Sequence, residues 1–269
     1  MDDLRILKIG GSLFACKESD VPKTDDATLA RLAREIADAL SVKEGRFGLV
    51  IVHGAGSWGH SIVRASGIDK GIRSGKDRLA FARTQILQNS LNAVFTGALA
   101  DAGVPAFPIQ MSAHAETDDG VLVSATLDAI RSLLDLGMVP VAYGVPVCDR
   151  TRGCSILSGD QIGPYFAREL GARTLIHATD VDGVFTADPK KDVSARLVPK
   201  ITAANLDSIR HGLAGSIHTD VTGGMVRKIE EIAEMAGAGI ESVIINGLRP
   251  GNIRDALLGQ VEVGTTVEI

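Results

Sequence analysis

Phe47-Gly48-Leu49-Val50-Ile51-Val52-His53-Gly54-Ala55-Gly56-Ser57-Trp58-Gly59-His60 is the stretch on which the reading of this chain turns. Its first half is a continuous apolar run, as a strand buried on both faces requires. Its second half is glycine-rich and closes on a histidine. Gly54, Gly56 and Gly59 let the backbone pass very close to a ligand. A helix opening near Ser57 to His60 turns its free N–H groups and the positive end of its dipole toward the same place. Such a site suits an anion, phosphate being the common one, with the His60 ring placed to donate to a phosphate oxygen. Taken alone, the stretch reads equally well as a strand and a flexible turn.

Outward from it, toward the N-terminus, Leu4 to Ile9 is a short apolar strand broken by Arg5 and Lys8 and ending in Gly10-Gly11-Ser12. A lysine inside a buried strand is costly unless its ammonium meets an anion. Near the strand's C-terminal end it would point at the ligand crevice of an open α/β sheet. An edge strand with Lys8 in solvent is the other reading. Lys17 follows in a polar loop and by itself reads as a solvated lysine. Asp25 and Asp26 cap a helix to about Val42, with Leu29, Leu32, Ile36 and Leu40 at helical spacing.

In the other direction, Ser61 to Lys76 is glycine-punctuated and reads as a flap or short helix. Asp77 to Asp101 is a long helix, with Phe81 the candidate to close an apolar cavity. Val104 to Gln110 holds Pro105 and Pro108, so it is not a central strand along its whole length. Ser124 to Leu136 reads as a helix capped by Gly137, and Val139 to Val147 as an apolar strand. Ser158-Gly159-Asp160 opens a helix to Gly171, Asp160 being either an N-cap or a carboxylate that holds lysines in place. The strand Arg173 to Ala178 runs into Thr179-Asp180-Val181-Asp182-Gly183, a nucleotide edge, a metal neighbourhood or a plain turn. Asp220-Val221-Thr222-Gly223-Gly224-Met225-Val226-Arg227-Lys228 is a second glycine loop, with Lys228 one helical turn beyond the glycines. Strand Ser242 to Ile245, helix Gly251 to Leu258 and strand Thr265 to Ile269 close the chain.

Composition excludes several classes. The 269 residues are 45% hydrophobic and 23% charged, enough to bury a large core as one α/β domain or two lobes. A net charge of −5 argues against nucleic acid as a partner. Cys16, Cys148 and Cys154 are too few for a disulfide framework and fit a reducing cytoplasm. Met1-Asp2-Asp3-Leu4-Arg5 does not read as a signal peptide, and no apolar run reaches the ~18 residues of a membrane span. There is no Gly-x-x-x-x-Gly-Lys-Ser/Thr stretch, so no P-loop. Strands and helices alternate, which predicts a three-layer α/β/α sandwich around a largely parallel sheet.

Together these motifs resemble the amino acid kinase superfamily, and within it the isopentenyl phosphate kinases, over nearly the whole chain. Lys8-x-Gly10-Gly11-Ser12 is similar to the opening phosphate loop, and Lys17 to the second lysine. His53 to His60 is similar to the acceptor loop, usually written with Phe at Trp58. The Asp160, Asp180 and Gly223 stretches match in order, and Lys228 matches the last lysine. Gly144-Val145 departs from the usual Gly-Asp.

The resemblance implies one amino acid kinase-like domain over 1–269, with an acceptor lobe at about 1–170 and a nucleotide lobe at about 171–269. It implies phosphorylation of isopentenyl phosphate by ATP in the alternate mevalonate route of isoprenoid biosynthesis, in a cytoplasmic homodimer, with dimethylallyl phosphate as a second acceptor. Related phosphate or phosphonate kinases such as fosfomycin kinase, and a non-catalytic nucleotide-binding relative, are the alternatives. Lys8 and Lys228 would bind the donor's phosphates, Lys17 would follow the moving phosphoryl group and Asp160 would orient the lysines. Gly10, Gly11, Ser12, Gly56 and Gly223 would approach the nucleotide, with Asp180 near its nucleoside. Ala55, His60 and Gly159 would hold the acceptor phosphate. Mg²⁺ would be held through phosphates, with no metal-ligating residue assigned. His60→Ala is expected to lose most of kcat/KM while ATP affinity stays nearly unchanged, and His60→Gln, which keeps a donor, to retain more. Steady-state kinetics beside nucleotide titration checks this; normal turnover by the alanine variant would remove His60 from the acceptor site.

Overall fold

The computed structural model describes residues 3–15, 23–42, 47–187, 192–214, 232 and 235–268, with the backbone alone for residues 57, 59, 60 and 212–214. Two parallel strands form its middle, β1 (Leu4–Ile9) and β2 (Gly48–His53), paired so that Lys8 stands beside Val52 and Ile9 beside His53. Outward from β2 lie β6 (Val139–Tyr143) and β3 (Ala106–Ile109). Outward from β1 lie β9 (Thr174–Thr179), β11 (Glu241–Asn246), β12 (Thr265–Glu268) and β10 (Lys200–Thr202). Six of these eight strands run the same way; β12 pairs antiparallel with β11, and β10 runs with β12. The proline-bearing strand is β3, at one edge, where a missing N–H costs least.

The pleat sorts the apolar side chains into two layers. Leu7, Ile9, Leu49 and Ile51 pack under α1 (Asp26–Ser41), α3 (Gly75–Asp101) and α7 (Asn252–Leu257). Leu4, Ile6, Val50 and Val52 pack under α4 (Asp128–Asp135) and α5 (Gly159–Glu169). This is the predicted three-layer α/β/α arrangement with a largely parallel sheet. A third apolar group, around Val184, Ile201, Ile244 and Val267, lies at the β10 end near α6 (Leu206–Ala214). Asp25 caps α1 as expected, accepting from Thr28 N at 3.0 Å. α2 (Ser57–Ser66) starts directly after the glycine loop, so of the two readings of this stretch, flap or short helix, its first part is helix, followed by a short 3-10 turn at Ile68–Lys70.

Two expectations are corrected. Val139 to Val147 is not one strand. It breaks at Gly144 into β6 of the main sheet and β7 (Val145–Asp149), which pairs with β8 (Gly153–Leu157) in a second, four-stranded sheet. The expected helix from Ser124 begins only at Asp128, because Val121–Ala125 is β5, hairpinned to β4 (Ala115–Asp118). The turn between them is Asp119-Gly120, both left-handed (φ 49° and 83°), and that pair is a hairpin signal readable in the sequence.

Asp149 staples this small sheet. Its carboxylate accepts from the Thr117 hydroxyl (2.8 Å) and from the amides of Gly120 (2.8 Å), Thr151 (3.0 Å), Arg152 (2.7 Å) and Asp119 (3.2 Å). Burial alone would raise its pKa; the bonds from Arg152, Gly120, Thr117 and Thr151 together outweigh that and pull it down to about 2. A pKa lower in the folded chain than in the unfolded one contributes stability at neutral pH, lost as pH falls from about 4 toward 2. At roughly 1.4 kcal/mol per pKa unit the contribution is at most about 2.5 kcal/mol. Asp149→Asn should lower the urea midpoint at pH 7 and flatten its fall between pH 4 and pH 2; a variant as stable as the parent at pH 7 would contradict the staple.

Candidate active site

Alternation along β1 decides where Lys8 points. Leu4, Ile6 and Lys8 share one face, under α5, and Leu7 and Ile9 the other. Lys8 therefore meets the first turn of α5, where its Nζ lies 2.6 Å from Asp160 Oδ1. The lysine side chain is 8% exposed and the aspartate 39%, so the pair is half in the core and half at a cavity mouth. Removing one partner of such a pair leaves a charge uncompensated, which costs about 3–5 kcal/mol when fully buried. Lys8 is thus in neither an edge strand nor solvent, and Asp160 is not the N-cap, which is Ser158, but a first-turn carboxylate that meets Lys8.

Two glycine loops meet beside this pair. Gly10 leaves β1 with its N–H on Ala178 O (2.9 Å), and a 3-10 turn follows at Gly11–Leu13. Gly54 leaves β2 with its N–H on Ile9 O (3.0 Å). The loops then pack backbone on backbone. A Cβ on Gly11 would lie 2.2 Å from Gly56 N, and a Cβ on Gly56, whose φ is +53°, would lie 2.4 Å from the Ala15 Cβ. Gly56 is the N-cap of α2, so the helix N-terminus opens at this contact. Gly159 opens α5 against the end of β2, where its Cβ would lie 3.2 Å from His53 O.

A cavity of about 690 Å³ lies over these elements. Of the expected residues it brings together Lys8, Gly10, Gly11, Ser12, Ala55, Gly56, Gly159 and Asp160. Asp180 is not on its wall; its neighbour Thr179 is. His60 falls in the first turn of α2, but its side chain is outside the described residues, as are Lys17, Gly223 and Lys228. Val63, Val145, Pro146 and Ile156 supply an apolar wall. Phe81 does not close it: α3 reaches the cavity with Thr84 and Gln88, one and two turns further on. The phase of a helix with polar groups on its buried face cannot be set from apolar spacing, and this is why Phe81 was misplaced.

His53 has no role in the reading of the sequence, and it is fully buried beneath the Gly54–Gly56 loop. Its Nδ1 donates to Gly54 O (3.1 Å), and its Nε2 lies 3.0 Å from the Asn92 side-chain amide on α3. The ring stacks on Tyr143 (centroids 5.5 Å apart) and meets Phe14 and Phe95. Burial pushes its pKa below the usual histidine value, against the contacts to Gly54 and Asn92, which favour the charged ring. A buried histidine beside a glycine was the signal available. On the far side of β9, Asp182 accepts from Asn246 Nδ2 (2.9 Å) and Arg249 Nε (2.6 Å), tying the turn after β9 to the loop after β11. The guanidinium beside it holds the Asp182 carboxyl below the usual range.

A parallel sheet whose strands end in two touching glycine loops, with a half-buried lysine–aspartate pair beneath, is the frame of a phosphate-handling α/β protein. The chain belongs to the amino acid kinase family, whose model matches residues 3–246. It is 42% identical to an isopentenyl phosphate kinase of Methanothermobacter thermautotrophicus over 97% of this chain and 98% of that one. It is 34% identical to an isopentenyl phosphate kinase of Methanocaldococcus jannaschii over 98% of each. A crystal structure described as isopentenyl phosphate kinase superposes with a TM-score of 0.84 at 39% identity, covering 98% of this chain and 99% of that one.

The loop contact yields a direct test. Gly11→Ala places a Cβ on the Gly56 backbone and is expected to cost about 3 kcal/mol of stability by overpacking. Gly137→Ala, where φ is 74° and nothing lies within 4 Å, should cost only the left-handed penalty of about 1–2 kcal/mol. Denaturant unfolding of both variants compares them; equal losses would mean that the loops are not in contact.

Proposed function

We propose that this chain transfers the γ-phosphoryl group of ATP to isopentenyl phosphate, giving isopentenyl diphosphate and ADP. One observation carries the reading: two glycine loops and the Lys8–Asp160 pair share a cavity with an apolar wall, in a chain 42% identical to an isopentenyl phosphate kinase. A phosphorylated acceptor and a triphosphate donor need adjoining anion sites, and a short hydrocarbon tail needs a dry wall.

The chemistry asks for little else. The second ionisation of a phosphate monoester lies near pH 6, so at neutral pH the acceptor is largely a dianion and needs no general base. An acceptor oxygen attacks the γ-phosphorus while the bond to the β–γ bridging oxygen breaks and leaves with ADP. Catalysis is then in-line positioning and neutralisation of charge on the transferring group. In this reading Lys8 and Lys228 bind the donor's phosphates, Lys17 follows the phosphoryl group and Asp160 fixes the Lys8 ammonium. Gly10, Gly11, Ser12, Gly56 and Gly223 let the nucleotide approach, with Asp180 toward the nucleoside. Ala55, His60 and Gly159 hold the acceptor phosphate. The acceptor lobe is about 1–170 and the nucleotide lobe about 171–269.

Among the described residues no three His, Cys, Asp or Glu side chains converge as a metal cage. Mg²⁺ would arrive with the nucleotide, bound through its phosphates, and would supply charge neutralisation there. We assign the protein to the cytoplasm as a homodimer; no described helix is long and apolar enough to cross a membrane. ATP consumption against isopentenyl phosphate, dimethylallyl phosphate, fosfomycin and uridylate tests the acceptor. The expected order puts isopentenyl phosphate first in kcat/KM and dimethylallyl phosphate second. Preference for fosfomycin or uridylate would overturn it.

A further inference from the structure

The hairpin that carries the cavity's apolar wall also carries two thiols. β7 and β8 pair antiparallel, with Cys148 directly opposite Cys154. Residues directly opposite in such a ladder project from the same face. Their Cα atoms stand about 4.5–5.5 Å apart, and a disulfide spans Cα separations of about 4.4–6.8 Å. The ladder thus sets the spacing that a bridge needs, yet both cysteines are free. The same face holds Pro146 opposite Ile156, the adjacent such pair, and both of these line the cavity.

The two thiols are not equivalent. Cys148 is exposed and Cys154 is buried. β8 is the outer strand of the small sheet, and the 3-10 turn at Ile68–Lys70 packs against it. There the Cys154 thiol donates to Ile68 O (3.3 Å). Burial pushes the Cys154 thiol pKa up, and nearby Asp149 and Cys148 add to this. Cys154 is therefore held protonated and shielded, while Cys148 meets reagents from solvent. Two free thiols with one of them exposed form neither a structural bridge nor an inert core pair. They are placed as an attacking thiol and a resolving thiol.

We propose that Cys148 and Cys154 form a reversible dithiol–disulfide site whose oxidant is a low-molecular-weight disulfide. The Cys148 thiolate attacks one sulfur of the small disulfide, forms a mixed disulfide and releases one small thiol. Cys154 then attacks the Cys148 sulfur and gives up its proton, and the second small thiol leaves. Two protein thiols are oxidised to one protein disulfide, and one small disulfide is reduced to two thiols. The second step is intramolecular, between groups that the hairpin already holds side by side. The bridge removes the proton that Cys154 gives to Ile68 O, so the turn after α2 loses that tie to β8. Reversible bridges of this kind are the ones compatible with a reducing compartment.

The probe is oxidised glutathione, in excess over the native full chain at neutral pH. After unfolding and alkylation of the remaining thiols, mass spectrometry should show that Cys148 and Cys154 have both lost their free thiols and that neither carries an adduct. Trypsin cleaves after Arg150 and Arg152, so the bridge appears as two peptides joined through Cys148 and Cys154. Reduction with dithiothreitol should separate them and restore both thiols. This comparison needs no variant to fold. Cys154→Ser should stop with one glutathione held on Cys148, and Cys148→Ser should leave Cys154 unreacted. A stable adduct on Cys148 of the wild type overturns the inference, as does a bridge from Cys148 to Cys16. Both thiols left free by the probe overturn it too. None of these readouts uses phosphoryl transfer, so their failure leaves the proposed function standing.

Discussion

Everything at the site depends on the contact between two stretches of bare backbone, Gly10-Gly11 after β1 and Gly54-Ala55-Gly56 after β2. The strands are parallel neighbours with Ile9 opposite His53, so both chains leave the sheet at the same height. Side chains there would hold the loops apart; glycine lets them touch. A sheet of parallel strands presents such loops at one edge by construction, which is why ligands gather there in open α/β folds. The short distance between loops is what lets two anions be held side by side, and positioning supplies most of the rate in phosphoryl transfer.

Charge is added to that frame by the pleat. The same alternation that sends Ile6 under α5 sends Lys8 there, and α5 begins with a carboxylate one residue after its first glycine. An acidic group is favoured in the first turn of a helix by the dipole, so Asp160 is stabilised where it is needed to hold a buried ammonium. On the opposite face His53 takes the equivalent place. Its ring is packed between Tyr143 and Phe95 and ties Gly54 to α3. Each glycine loop thus has a polar side chain beneath it that fixes where the loop starts.

The cavity's far wall has a different origin. β6 ends at Gly144, and the chain crosses into a second sheet with β7, returning through β8 to Ser158 and α5. The main sheet carries the loops, and the small sheet, pinned by Asp149 at its distal turn, carries the apolar wall and delivers Asp160. This wall of the cavity is therefore built by an element whose stability is set some distance from it.

The sequence by itself determined the parallel core, the two glycine loops and the lysine beneath them. Those features rest on local rules: continuous apolar runs mark doubly buried strands, glycine marks close approach, and a lone lysine in such a run must find an anion. It also carried, unread, the Asp119-Gly120 turn that marks the small sheet. The sequence names Asp160 as a carboxylate that could hold lysines; that it does so for Lys8, and which α3 residues reach the cavity, only the tertiary structure decided. Asp160 lies far along the chain from Lys8, and strand pairing brings them together. Thr84 and Gln88 face inward against their polarity because the strand ends and β7 fix the rotation of α3, and no periodicity of apolar residues along a helix records a rotation set by its neighbours.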